Sequence, residues 1–153
     1  ACRDSEGNSN SDVGTLFKDK QPLKDPLFCV ELKIDGLGIS LTYERGKLVR
    51  AATRGDGQVG DDVTRNAVHV QGIPRELQRH STGKPLSWDR CEVRGEIYIS
   101  KSDFQYISSQ RELSGDTVYS NPRNAAAGSL KLLDPAEVSS RRLSFIAYEM
   151  VVF

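Results

Sequence analysis

The chain has 153 residues, with 21 basic and 21 acidic side chains, two histidines and three cysteines, Cys2, Cys29 and Cys91. Balanced charge excludes an overall field that would draw it to nucleic acid or a membrane surface, so any DNA contact must come from a local patch. Three widely separated cysteines and two histidines suit neither a disulfide framework nor a zinc site, and no apolar run approaches the roughly 18 residues of a membrane span.

Residues 1–26 are rich in Ser, Asn, Asp and Lys and punctuated by Pro22 and Pro26, which predicts a polar tail or linker before an ordered domain over 27–153. Its opening, ACRDSEGNSNSD, has no signal-peptide hydrophobic core, so the expectation is a soluble, cytoplasmic protein. The next stretch, CVELKIDG, predicts a strand over 28–34 with Val30, Leu32 and Ile34 on one face and Glu31, Lys33 and Asp35 on the other. A strand over 38–44, a turn at Arg45-Gly46 and a strand over 47–54 would complete a three-stranded meander.

The loop GDGQVGDD follows, with Asp61 or Asp62 placed to cap a helix DVTRNAVHV. A polar connection over about 75–90 leads to the strand CEVRGEIYI, whose Val93, Gly95, Ile97 and Ile99 oppose Glu92, Arg94, Glu96 and Tyr98. Ser102 opens a helix DFQYISSQREL with Phe104, Ile107 and Leu113 inward, and Gly115 ends it. Asn121-Pro122 reads as N-cap and first residue of the helix RNAAAGSLKLL, which Asp134-Pro135 stops. The final segment, LSFIAYEMVVF, reads as a strand; its abrupt end and the lack of an initiating methionine suggest a fragment. Strands and helices mix without strict βαβ alternation, which predicts an α+β fold with mainly antiparallel sheets and flanking helices.

Two strands with apolar backs and charged fronts could line a polar cleft, and Gly36, Gly38, Gly55, Gly57, Gly60 and Gly95 sit where a missing Cβ lets a ligand or backbone approach. Lys33 is the candidate nucleophile. A free lysine is neutral only about one time in a thousand near pH 7. Attack by its amine therefore calls for cations from Arg54, Arg94, Arg123, Lys131 or a bound metal ion to oppose the neighbouring acids and hold a negative substrate. Phosphate suits such a cluster, and Arg123 falls in a first helical turn, where guanidinium and free N–H groups could both meet it. GDGQVGDD lacks the ligand spacing of a calcium loop, and no P-loop or Ser-His-Asp set is legible, so no fixed metal ligands are predicted.

In order and approximate spacing, ELKIDGLGISLTYERGKLVRAATRGDGQVGDDVT, EVRGEIYI and NPRNAAAGSLKLLDP resemble the adenylation domain of bacterial NAD-dependent DNA ligases, over about residues 28–150. The resemblance implies a nucleotidyltransferase core, NAD and Mg²⁺ as cofactors, and nicked double-stranded DNA as partner in a full-length enzyme of replication and repair. It implies that Lys33 attacks the α-phosphate of NAD to give lysyl-AMP, that AMP passes to a 5′-phosphate, and that a 3′-hydroxyl then displaces it. By position, Asp35 and Gly36 complete the nucleophile motif, Glu31 reads the adenine side, Arg54 binds nucleotide, Glu96 lies near the ribose, and Arg123 and Lys131 meet phosphate or DNA.

Lys131 stands where better-known members have arginine, and Gly38 where alanine is more usual. The family's later D-G-V-V-[IV]-K strand is not present, so the expectation is an incomplete, monomeric domain that does not seal nicks alone. Two alternatives use the same residues: a non-catalytic adenine-nucleotide-binding module, and an ATP-dependent member of the nucleotidyltransferase superfamily. The NPRNAAAGSL block argues against the latter.

Overall fold

A computed structural model of the chain describes residues 28–77 and 88–153. It divides into two units, Ala1–Lys33 and Ile34–Phe153. The described part of the first unit has no regular structure, and its apolar Val30 and Leu32 are exposed. The strand expected over 28–34 is therefore not formed, and the shared face of Glu31, Lys33 and Asp35 goes with it. A strand persists only where a neighbour takes up its backbone N–H and C=O groups, and both edges of the next strand are already paired.

In the second unit the elements run β1 (Leu37–Glu44), β2 (Lys47–Thr53), α1 (Thr64–Ala67), β3 (Arg90–Tyr98), α2 (Lys101–Leu113), α3 (Pro122–Leu130), α4 (Pro135–Ser140) and β4 (Ser144–Val152). The strands form an antiparallel sheet in the order β2-β1-β3-β4. The expected meander is thus a β1–β2 hairpin. Arg45 and Gly46 turn it with φ of 49° and 82°, positive at both positions as in a type I′ hairpin turn.

Alternation along the strands builds the core. Ile39, Leu41 and Tyr43 of β1, Ala51 of β2, and Cys91 and Ile97 of β3 are buried with Ala125, Ala126 and Leu130 of α3, Ile107 of α2 and Val138 of α4. Helix α3 lies against β1 and β3, and α1 against β2. The other sheet face stays polar, because Gly38, Ser40 and Thr42 pair across with Glu96, Arg94 and Glu92.

Several boundaries move. Ser100, not Ser102, caps α2 by accepting from Asp103 N at 3.0 Å. Leu113 points outward, because six residues beyond buried Ile107 a helix turning about 100° per residue has carried it about 120° round from the buried face. Asn121 caps α3 as expected, accepting from Asn124 N at 2.8 Å, but the helix stops at Leu130 and Asp134-Pro135 instead begins α4. Helix α1 is a single turn. Asp62 accepts from Thr64 N at 2.9 Å, yet Val63 holds the N-cap position, and the chain after Ala67 tightens into i→i−3 bonds such as His69 N to Asn66 O. The expected connection over 75–90 falls partly outside the described residues. No helix among the described residues is long and apolar enough to cross a membrane.

Candidate functional site

Leaving the first unit, the chain passes beside β3 at Asp35 and Gly36. Gly36 N donates to Glu96 Oε1 at 3.2 Å, and a Cβ at this glycine would run into the Ile97 carbonyl oxygen. Only glycine fits such an approach, so Gly36 is a packing requirement as well as part of the expected motif. Asp35 Oδ1 lies 3.5 Å from Arg123 Nη1 on the first turn of α3, where Asn121 and Pro122 set the helix start.

One residue pair further along, Gly38 sits between two of the expected site residues. A Cβ there would stand 3.6 Å from Arg54 Cβ and 3.7 Å from Glu96 Oε2. The Arg54 backbone N–H donates to Gly38 O at 3.0 Å, which brings the end of β2 across to the start of β1. Its guanidinium makes no ion pair among the described residues.

The polar sheet face forms a concavity of about 650 Å³, bordered by Gly38, Ser40, Arg50, Arg54, Gly57, Gly60 and Arg94. Arg94 spans it, donating to Glu92 at 2.7 Å and Glu149 of β4 at 3.0 Å. These charge-assisted bonds hold the Glu92 carboxyl below its usual range and raise Arg94. Arg94 is therefore committed to its neighbours, whereas Arg54 is available. The adjoining loop is shaped by Asp56, whose Oδ1 accepts from Val59 N at 2.8 Å and Gln58 N at 2.9 Å, bonds that lower its pKa.

The structure thus gathers Asp35, Arg54, Glu96 and Arg123 around the start of β1. Lys131 lies at the opposite end of α3, roughly 12 Å along the helix axis. There it pairs with Asp61 at 2.6 Å, beside a second groove of about 700 Å³. Glu31 and Lys33 belong to the first unit, where both are exposed and Glu31 Oε1 accepts from Cys29 Sγ at 3.8 Å. No three His, Cys, Asp or Glu side chains among the described residues could together hold a metal ion.

Sequence reading overlooked Asn66 and Glu149. Asn66 is a buried amide in a run otherwise read as helix, and with Thr64 and Arg65 just before it no local pattern set it apart. Glu149 belongs to the site only through its strand pairing with Arg94.

Architecture and site define an α+β domain with one helix-covered sheet face and one polar, glycine-bordered face carrying arginines. The chain belongs to the NAD-dependent DNA ligase adenylation domain family, whose model matches residues 12–153. It is 51% identical over 121 residues to DNA ligase 1 of Opitutus terrae, covering 79% of this chain and 18% of that protein. It is 52% identical over 124 residues to a DNA ligase of Cereibacter sphaeroides (81% and 17%) and 47% identical over 132 residues to one of Acinetobacter baylyi (86% and 19%). The chain therefore spans less than a fifth of the length of these curated relatives.

Proposed function

We propose that residues 27–153 form part of a nucleotidyltransferase core, behind a polar lead-in over 1–26, and that Lys33 accepts AMP from NAD. The observation that carries this reading is the anchoring of Asp35 and Gly36, two and three residues after Lys33 in the motif. The Asp35 carboxylate pairs with Arg123 and the Gly36 N–H donates to Glu96, so the segment just beyond the proposed nucleophile is bound to groups expected to meet nucleotide and phosphate.

The residues suit the ligand. Arg54 offers an uncommitted fork for phosphate oxygens, the Gly38 surface leaves room for close approach, and Glu96 can accept from a ribose hydroxyl. Glu31 takes the adenine side. Mg²⁺ would be held largely by substrate phosphates and water. When bound, that ion would withdraw charge from the phosphoryl oxygens.

In the proposed first step Lys33 Nζ forms a bond to the α-phosphorus as the phosphoanhydride bond to nicotinamide mononucleotide breaks and the amine loses its proton. In a complete ligase the 5′-phosphate of nicked duplex DNA then displaces Lys33, and the 3′-hydroxyl displaces AMP. Arg123 and Lys131 hold phosphate during those steps. Positioning and charge stabilisation supply the catalysis. A monomeric, cytoplasmic setting in replication and repair belongs to the same reading.

Intact-protein mass measurement after incubation with NAD and Mg²⁺, beside ATP and beside Lys33→Ala, tests it. An added AMP mass with NAD on the wild type alone supports the proposal. An adduct formed only with ATP, or one retained by Lys33→Ala, overturns it. Nucleotide binding by a folded chain without any adduct favours the non-catalytic alternative.

A further inference from the structure

Lys131 is held at both ends of its side chain. The carbonyls on either side of it, Leu130 O and Leu132 O, accept from the Asn66 amide at 2.6 and 2.8 Å. One buried donor group in α1 thus fixes the backbone through which Lys131 leaves α3, using both N–H bonds that an asparagine amide has. At the tip, the ammonium lies 2.6 Å from Asp61 Oδ2.

Asp61 is itself anchored. Its N–H donates to Thr53 Oγ1 at 2.9 Å and its carbonyl accepts from Thr53 N at 3.0 Å, while a Cβ on Gly60 would strike the Thr53 carbonyl oxygen. A long, flexible side chain has been pinned by residues 61 and 66 of one short segment. The ion pair is half-exposed, and such pairs add little to stability. Ordering a lysine in advance, however, removes an entropic cost from whatever anion it next meets. Asp61 occupies one of the three ammonium donors and leaves two for a ligand.

We propose that Asp61 and Asn66 are positioning residues that present Lys131, already ordered, to a phosphate oxygen of nicked DNA; this rests on the reading of Lys131 as a phosphate contact. Asp61 has opposing effects on an incoming phosphate, since its charge repels the anion while its hold on Lys131 favours capture. Ordering outweighs repulsion.

Two measurements on the chain separate this proposal from the reading beneath it. The first is NMR relaxation of the lysine Cε groups without DNA. Lys131 is expected to be more ordered than exposed Lys47 and Lys101, to fall to their level in Asp61→Asn, and to recover in Asp61→Glu. The second is fluorescence anisotropy of a 5′-phosphorylated nicked duplex titrated at several low salt concentrations. Lys131→Ala should weaken binding about tenfold and reduce the salt slope by about 0.9. Asp61→Asn should weaken it several-fold, and the double variant should bind no worse than Lys131→Ala. A Lys131 as mobile as Lys47 in the wild type, or an Asp61→Asn chain that binds as tightly as wild type while Lys131→Ala does not, overturns the positioning role. Order at Lys131 with no effect of Lys131→Ala on binding overturns the phosphate reading instead.

Discussion

Replacing Asn66 by alanine tests how the second unit ties α1 to the end of α3 across more than 60 residues of chain. The substitution leaves Leu130 O and Leu132 O without the amide that lies 2.6 and 2.8 Å away. Leu130 is fully buried, so its orphaned carbonyl costs about 1–3 kcal/mol, whereas the part-buried Leu132 site regains water and costs about 1. Alanine's better helix propensity returns about half a kcal/mol. The expected loss is therefore roughly 2–3 kcal/mol, a fall in Tm of roughly 10 °C. Urea unfolding followed by far-ultraviolet circular dichroism and by fluorescence of Trp88, the single tryptophan and packed against the core, measures it. A loss under about 0.5 kcal/mol at unchanged m value would show that the two carbonyls find other partners, and would refute the reasoning.

Gly38→Ala should stabilise the chain by about 0.4–1 kcal/mol, because the new methyl meets Arg54 and Glu96 at ordinary contact distance and the unfolded chain loses freedom; thermal unfolding checks this. Gly95→Ala should do the opposite, by about 1–3 kcal/mol in the same assay, since its Cβ would collide with the Phe145 ring and the Ile146 carbonyl oxygen across the β3–β4 pair. Alkali should unfold the protein early. Burial pushes the Tyr43 phenol up to about 12 and raises the Cys91 thiol, so the stability they confer is complete below their unfolded pKa values and is lost as pH rises from about 9 towards 12. Urea midpoints at pH 8 and 11 should separate for wild type and separate less for Tyr43→Phe, the remainder belonging to Cys91. Acid has the reverse sign: the carboxyls of Asp62, held down by Thr64, Asp103, by Ser100, and Glu92, by Arg94, stabilise above about pH 4, and that support should fade as pH falls through their lowered values. Glu92→Gln should flatten the acid limb of a stability–pH curve.

Much of this protein could be read locally. The Arg45-Gly46 turn, the alternation of CEVRGEIYI and the Asn121-Pro122 helix start depend on neighbours in sequence, through backbone preference and side-chain period. The same locality made the family legible from the KIDG, RGDG and NPRNAAAGSL segments. Tertiary structure decided what local pattern leaves open. CVELKID has the composition of a strand yet remains irregular, because a ladder needs a partner edge and β1 has given its edges to β2 and β3. Asp61 meets Lys131 across 70 residues of chain and Asn66 grips the carbonyls around it, contacts that exist only once α1 and α3 are folded onto the sheet. Residue identity determined which charged groups were present; packing determined that Arg94 is spent on two glutamates, that Lys131 pairs with Asp61 and that Arg54 makes no ion pair among the described residues, because charge pairing depends on distances that sequence separation does not set.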